Sequence, residues 1–94
     1  MVFLGWLNTA TMNNGRVSHT ASVLTNEKVL VTGGYDLSSF LNSAELYNPS
    51  TGTWAVTGSM NNAREQQAAS VQMNRNVLVA GGISNSLLNS AELY

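Results

Sequence analysis

The residues best suited to bind an anion are two arginines that occupy the same place in two similar stretches. Arg16 and Arg64 are equivalent in these stretches, and each precedes a β-prone run. A guanidinium group presents its N–H donors in a planar fork that matches a carboxylate or a phosphate. The same donors can instead saturate backbone carbonyls, or a glutamate such as Glu45 or Glu92, inside the fold. Because both copies carry the arginine, a structural role is favoured, and ligand binding stays open.

Groups for catalysis are sparse. The chain has no cysteine and one histidine, His19, which argues against disulfides, a thiolate zinc site and a histidine-rich metal cluster within one chain. Asp36, Glu45, Glu65 and Glu92 show no spacing of paired carboxylates for acid–base work, and no Ser/His/Asp set clusters on one loop. We therefore expect a protein that is not an enzyme, with no catalytic residue, no metal and no cofactor.

Composition narrows the class of partner. The chain has 94 residues, enough for one small domain, and a net charge of −1. Only 10% of its residues are charged, against about 25% in ordinary soluble domains. Such a chain offers no basic field for a phosphate backbone, so we expect no nucleic acid partner. The apolar opening MVFLGWL is about one-third the length of a membrane span, so we expect it to belong to the fold and expect no membrane partner. The sequence does not indicate a compartment.

The chain contains two copies of one pattern, and most equivalent residues are separated by the same constant spacing. Glu45 and Glu92, and also Tyr47 and Tyr94, lie one position closer together, so the second copy has a deletion in a predicted loop between Gly82 and Leu88. A period of about 50 residues with several short strands per unit is typical of β-propellers. The pairs that share the constant spacing are Trp6 and Trp54, Met12 and Met60, Arg16 and Arg64, Val29 and Val77, and Gly33 and Gly81.

Turn-forming residues divide one unit into four predicted strands. Asn26 and Glu27 separate the first two strands, and Pro49 and Gly52 precede the fourth, where Gly52 is expected to take a positive φ. Four strands per repeat make one propeller blade. Residues 57–64 then lead from the outer strand of one blade to the inner strand of the next. The predicted strands are residues 19–25, 28–34, 42–48 and 53–57.

These features together resemble the kelch-repeat family. The resemblance covers residues 6–94 and is closest to microbial kelch repeats of the form SAELY-P-TGTW-TGSM-AR-HTA-VLVAGG. The sequence departs from the pattern where Gln67 replaces His19 in the second copy and where FLGW replaces STGTW at the start. The residues that carry the resemblance are Gly33, Gly34, Gly81 and Gly82 as double glycines, Tyr47 and Trp54 with six residues between them, and Arg16 and Arg64 ahead of the first strands.

The resemblance implies an all-β fold, a kelch-type β-propeller with two four-stranded blades per chain. Residues 1–94 then form a single unit: residues 1–8 are the outer strand of a blade, residues 9–57 the first full repeat, and residues 58–94 a second repeat without its outer strand. The double glycines lack the helix and lysine of a phosphate-binding loop, so we expect turns there. The aromatic residues expected in the core between blades are Trp6, Tyr47, Trp54 and Tyr94.

Two blades are too few to close a ring, because propellers have about four to eight. We therefore expect a homo-oligomer in which each chain donates its N-terminal strand to the incomplete last blade of a neighbour. Three copies would make six blades, the favoured number for a kelch-like ring, and two or four copies would make four or eight. The alternative is that the chain is a piece of a longer propeller.

Function is best sought where the two copies differ. In kelch-like rings the loops at residues 35–40 and 83–87 are expected to gather on one face, where a polar and aromatic surface would suit a peptide or a glycan. We predict a non-enzymatic binding or scaffolding module, or alternatively a purely structural self-assembling unit. An enzyme like galactose oxidase is disfavoured because its tyrosine–cysteine cross-link has no counterpart here. The candidate ligand-binding residues are Arg16, Tyr35, Asp36, Phe40, Arg64, Ser84, Asn85 and Ser86.

Overall fold

The chain forms two antiparallel sheets in a computed structural model that describes residues 5–94. The predicted all-β class is confirmed, since these residues form strands and no helix. No stretch of them is therefore a helix long and apolar enough to cross a membrane. The strands are β1 (Thr20–Val23), β2 (Val29–Thr32), β3 (Ala44–Asn48), β4 (Thr53–Thr57), β5 (Ala68–Val71), β6 (Val77–Ala80) and β7 (Ala91–Leu93).

The first sheet has the order β1-β2-β3-β4 and contains the four strands predicted for one repeat. Its second strand is covered on both faces, with Leu30, Val31 and Thr32 only 1%, 4% and 3% exposed. A continuous apolar run is what such a doubly covered strand requires. Before β4, Gly52 takes the predicted positive φ, at 68°, and its N–H donates to the Asn48 carbonyl at 2.8 Å.

The second sheet, β5-β6-β7, repeats the first three strands of the first. The deletion lies in the loop after β6, as predicted: Ile83 is bridged to Leu87, whereas Tyr35 is bridged to Phe40 in the longer loop of the first repeat. Within residues 5–94, no strand lies beside β7 on its outer side. The backbone groups on that edge of β7 are therefore available to another strand.

The core lies between the two sheets. Leu30 and Ala44 of the first sheet meet Val77 and Val79 of the second, and none of the four is more than 3% exposed. Burial of these side chains provides the main apolar stabilisation of the described residues. The partly buried side chains packed around this core are Leu24, Leu46, Met60 and Ala69.

The predicted N-terminal strand is only partly covered by the structure, because residues 1–4 lie outside the described range. Residues 5–8 form no strand within the single chain. The expectation that Trp6 packs in a core is not met within one chain, since its side chain is fully exposed. Its sequence equivalent, Trp54, packs on Tyr47 with 5.1 Å between ring centroids. Pairing of the N-terminal strand with another copy stays a prediction.

Replacement of the central core leucine should show how much the contact between the sheets stabilises the chain. We expect Leu30→Ala to lower the free energy of unfolding by about 3 kcal/mol, because a fully buried side chain is lost and a cavity remains. The matched control is Leu78→Ala, at the equivalent but half-buried position in β6. It should cost about 1.5 kcal/mol or less in dilute solution. Urea unfolding of both variants measures the difference, and equal losses would contradict this account of the core.

Candidate functional site

A buried ion pair in the first repeat lies where β2 ends and β3 begins. The Arg16 Nη1 group donates to the carbonyl oxygens of Gly33 at 2.9 Å and Ser43 at 3.1 Å. Its Nη2 group donates to Ser43 Oγ at 3.2 Å and to Glu45 Oε2 at 3.1 Å. The side chains of Arg16 and Glu45 are both fully buried. A charged pair can be held inside the fold in this way because each partner neutralises the other and further hydrogen bonds complete the set.

The glutamate of this pair also holds the segment before β1. Glu45 Oε1 accepts the backbone N–H of Asn13 at 2.8 Å and the side-chain amide of Asn13 at 2.9 Å. Glu45 Oε2 accepts the backbone N–H of Asn14 at 3.0 Å. Sequence reasoning missed these asparagines, although the pair recurs at the equivalent place in the second copy as Asn61 and Asn62. That recurrence is the signal that could have identified them.

The second repeat reproduces the cluster almost atom for atom. Arg64 donates to the carbonyl oxygens of Gly81 and Ser90, both at 2.9 Å, and to Glu92 Oε2 at 3.1 Å. Glu92 in turn accepts the backbone N–H groups of residues 61–62 at 2.6 and 2.9 Å. Glu92 is 13% exposed, whereas Glu45 is fully buried. Both arginine side chains therefore use their terminal donors inside the repeat, and this geometry favours the structural role over the predicted ligand-binding one.

The environment of the glutamates holds them in the ionised form. Burial by itself would raise the pKa of Glu45, but hydrogen bonds from Asn13, Asn14 and Arg16 outweigh it and keep that pKa below the ordinary value of 4.5. The pKa of Glu92 is lowered for the same reasons by the equivalent residues. A lowered pKa in the folded chain stabilises the fold above pH 4.5, and this contribution is lost as the pH falls through the folded-state pKa.

The two predicted ligand-binding loops, residues 35–40 and 83–87, lie beside residues 17–18 and 65–66, and these four segments are here called the rim. Within it, Val17 and Tyr35 exchange backbone hydrogen bonds at 3.0 and 2.9 Å, and the Gln66 N–H donates to the Ser18 carbonyl at 2.9 Å. The last bond ties the loops of one repeat to those of the other. The rim thus contains the loop residues that were selected from the sequence. Arg16 lines a cavity beside Tyr35 and Asp36, but its terminal nitrogens are bound inside the repeat.

In the first repeat the rim is aromatic and acidic. The rings of Tyr35 and Phe40 are half-buried and pack with 5.3 Å between centroids. Asp36 is exposed, and its Oδ1 accepts the N–H groups of Ser38 at 2.9 Å and Ser39 at 2.8 Å. These backbone hydrogen bonds lower the pKa of Asp36. Leu37 stands out from the loop with 80% of its surface exposed. This part of the rim can offer apolar contact beside a negative charge.

The second repeat presents a smaller and more polar part of the rim. The Ser84 N–H donates to the Ser86 carbonyl at 3.0 Å and closes the loop. Ser84 is half-buried, while Asn85 and Ser86 are exposed. Glu65 exchanges backbone hydrogen bonds with Ile83 at 3.0 and 2.9 Å. Among residues 5–94, no three His, Cys, Asp or Glu side chains come together as a metal site would require.

A second set of functional groups lies at the junction, the contact between the two repeats. Gln67 is only 6% exposed, and its Nε2 donates across the junction to the Thr32 carbonyl at 2.8 Å. In the sequence, Gln67 stands out only as a departure from the pattern. Its role depends on which face of one repeat meets the other, and sequence spacing does not show this.

Loss of the buried charge pair should strongly lower the stability of the fold. We expect Glu45→Gln to lower the free energy of unfolding at pH 7 by about 3 kcal/mol, because Arg16 would keep a buried charge without its partner. The wild type should lose stability between pH 5 and pH 3, and the variant should lose less, since one carboxyl with a lowered pKa is gone. Urea unfolding at both pH values measures this. Glu27→Gln, at an exposed turn position, is the control, and an equal effect from it would contradict the assignment.

Comparison with known families agrees with this geometry. The family model described as the Kelch motif matches residues 16–61, which include the first sheet and its arginine–glutamate pair. No curated protein matches the chain significantly. The second repeat carries the same arginine, double glycine, glutamate and tyrosine at equivalent positions. The motif match to the first repeat supports a kelch-repeat family for this chain, and the second repeat carries the same characteristic residues.

Proposed function

We propose that the chain is a non-enzymatic scaffolding module, a blade pair that builds a kelch-type β-propeller with further copies of itself. The observation that carries this proposal is the duplication of the junction. Each position that joins the first repeat to the second has a repeat-equivalent position on a side of the chain that faces no other repeat. The free side of the first repeat is called the leading surface, defined by Met12, Arg16, Ser18, His19 and Val29. The free side of the second repeat is called the trailing surface, defined by Gln66, Leu78, Ala80, Gly82, Leu88, Asn89 and Leu93.

The backbone groups of the two surfaces are complementary. Within the chain, four N–H groups cross the junction. By the repeat spacing, Gly82 N–H of one copy would donate to Arg16 of the next, as Gly34 donates to Arg64. The N–H groups at the equivalent positions donate to no backbone oxygen within residues 5–94. These positions are Met12, Arg16, Ser18 and Gly82. The bonds within the chain are Gly34 N to Arg64 O at 2.8 Å, Met60 N to Asn42 O at 2.8 Å, Arg64 N to Leu41 O at 3.1 Å, and Gln66 N to Ser18 O at 2.9 Å.

Apolar positions are duplicated in the same way. Leu30 and Val77 belong to the buried cluster between the sheets and are 1% and 0% exposed. Their equivalents are Leu78 on the trailing surface and Val29 on the leading surface, and both are only half-buried. Leu93, beside Leu78, is 60% exposed. Contact of a trailing surface with a leading surface would bury these side chains as the junction buries Leu30 and Val77.

The N-terminal residues of a neighbour would complete the second sheet. Trp54 lies opposite Tyr47 in the β3–β4 pair, and its indole N–H donates to the Ala10 carbonyl at 3.0 Å. The same register would place Trp6 of the next copy opposite Tyr94 of the first, on the open edge of β7. Trp6 is fully exposed and Tyr94 is 44% exposed in the single chain, so both have surface to bury in such a contact.

A contact between different surfaces closes into a ring when the rotation it imposes returns to the start. With two repeats per copy, three copies would give a six-bladed ring, within the range of about four to eight blades seen in propellers. The absolute mass of the chain in solution, measured by light scattering over a wide concentration range, tests the proposal. About three times the 10.0 kDa chain mass supports it. A monomer at every concentration would overturn it and indicate a piece of a longer propeller.

Removal of the exposed N-terminal tryptophan tests the strand contact directly. We expect Trp6→Ala to weaken self-association by about tenfold or more, since buried tryptophans are frequent hot spots, and to leave the stability of the dissociated chain unchanged. Met73→Ala is the matched control, because Met73 is equally exposed and lies in the turn between β5 and β6. Sedimentation equilibrium of both variants measures association, and an equal effect of the two would count against the strand contact.

A second function, binding of a peptide or a glycan at the rim, is favoured by one observation. The exposed Leu37 and Asp36 stand beside the packed rings of Tyr35 and Phe40, and apolar and aromatic side chains with a few polar groups are typical of ligand surfaces. In the proposed ring this arrangement would be repeated once per copy, so a multivalent ligand would gain from avidity.

The rim is tested with peptide and glycan arrays probed with the wild type and with an Asp36→Ala, Leu37→Ala double variant. Both residues are exposed, so the fold should tolerate the changes, and the signal of any bound ligand should fall about tenfold, the loss expected from a contact of a few polar and apolar atoms. Val56→Ala, at an exposed position of β4 away from the rim, should bind as the wild type does. Equal signals from all three proteins would remove the rim as a binding site.

A further inference from the structure

Gln67 is a side chain of the second repeat that reaches into the first. Its Nε2 donates to the Thr32 carbonyl at 2.8 Å and lies 3.4 Å from Thr20 Oγ1. A β-carbon on Gly33 would come within 2.6 Å of the same Nε2 atom, so the glycine leaves the space that the amide occupies. The Oε1 atom of Gln67 is buried and accepts no hydrogen bond within residues 5–94. The junction therefore uses one donor from this position.

His19 occupies the position of Gln67 in the first repeat. The β-carbon of His19 would lie 3.2 Å from a β-carbon placed on Gly34, and that of Gln67 would lie 3.2 Å from one placed on Gly82. The preceding residues share a left-handed backbone, with φ of 57° at Ser18 and 55° at Gln66. His19 is exposed because no repeat stands in front of it. The β-carbon of His19 thus has the same position relative to its repeat as the β-carbon of Gln67.

We propose that His19 of one copy donates to the Ala80 carbonyl of its neighbour, in the place where Gln67 donates to Thr32, and that protonation of this imidazole opens the contact between copies. The inference rests on the proposed function, because it requires the leading surface to meet a trailing surface. Ala80 is the repeat equivalent of Thr32. A β-carbon on Gly81, which corresponds to Gly33, would meet nothing closer than the Leu88 carbonyl at 3.6 Å, so the space for an imidazole is present.

The charges around this place disfavour an imidazolium. Arg16 lies beside His19 in its own chain, and burial and then the charge of Arg16 lower the pKa of His19 from 6.5 even in the single chain. On the trailing surface, the guanidinium of Arg64 binds the carbonyl of Gly81, so a second cation would face the ring. The paired carboxylates of Glu45 and Glu92 are committed to these arginines. The other titratable groups at this end of residues 5–94 are Tyr35 and Asp36, in the loop after β2, and Glu65, next to Gln66 on the trailing surface.

The direction of the pH effect follows from these neighbours. Contact between copies would bury His19 further and place Arg64 before it, so its pKa would be lower in the assembly than in the free chain. A group with a lower pKa in the assembled state favours assembly above its free-chain pKa and loses that contribution as the pH falls through the assembled-state value. Association should therefore weaken between pH 7.5 and pH 5.5, above the range in which the glutamates titrate.

The test compares self-association of the wild type and of His19→Gln at pH 7.5 and pH 5.5 by sedimentation equilibrium. The wild type is expected to associate severalfold more weakly at pH 5.5, up to a limit of about tenfold for one unit of pKa difference. His19→Gln installs the residue that the chain itself uses at the junction, so it should associate at both pH values with nearly constant affinity. Wild-type association that does not change with pH would overturn the inference and leave the proposed function intact. A wild type that is monomeric at pH 7.5 overturns both.

The reverse substitution, Gln67→His, tests the same contact inside one chain and does not require assembly. The variant should be close to the wild type in stability at pH 7.5, where a neutral imidazole can donate to the Thr32 carbonyl. At pH 5.5 its melting temperature should fall relative to the wild type, because a cation would be buried between Arg16 and Arg64. Thermal unfolding of the dilute proteins measures this. A variant with no pH dependence would show that the junction tolerates an imidazolium, and the inference would be wrong.

Discussion

Each repeat is organised around one buried arginine–glutamate pair. Arg16 donates to carbonyl oxygens at the end of β2 and just before β3, while Glu45 accepts N–H groups of residues 13–14, ahead of β1. Three stretches that are distant in sequence are thereby held together by charge-assisted hydrogen bonds. Neither partner can be lost without leaving an unpaired charge in the interior. The pair recurs in the second repeat, where Arg64 binds the equivalent partners Gly81, Ser90 and Glu92, so both repeats share one arrangement.

The contact between repeats does not depend on ion pairs, because each arginine–glutamate pair is complete inside its own repeat. The junction is left with backbone N–H and carbonyl groups, apolar side chains and the amide of Gln67. Backbone groups are the same whatever the sequence, so the hydrogen bonds of the junction can be duplicated at the ends of the chain without a matching set of polar side chains. His19 and Gln67 can therefore differ while the surfaces on which they stand remain complementary.

This division explains which features the sequence could predict. The fourth predicted strand, residues 53–57, coincides with β4, and the positive φ of Gly52 was expected from its turn, because these depend on residues close in sequence. The structural role of Arg16 followed from its recurrence. The direction in which Gln67 crosses to the first repeat could not be predicted, because repeat spacing shows which residues are equivalent and not which faces meet. The exposure of Trp6 in one chain has the same origin, since the partner expected for it belongs to another copy.

A chain of two repeats has one junction within the chain and, in the proposed ring, one junction per copy between chains. The two would use the same hydrogen-bond donors and the same apolar positions, so a mutation of shared positions would weaken folding and assembly together. The difference between His19 and Gln67 allows assembly to respond to pH separately from folding. An amide has the same charge at every physiological pH, whereas an imidazole changes charge in the range where most other groups do not. The sequence difference at this one position would let mild acid release the copies from one another while each chain keeps its own junction closed.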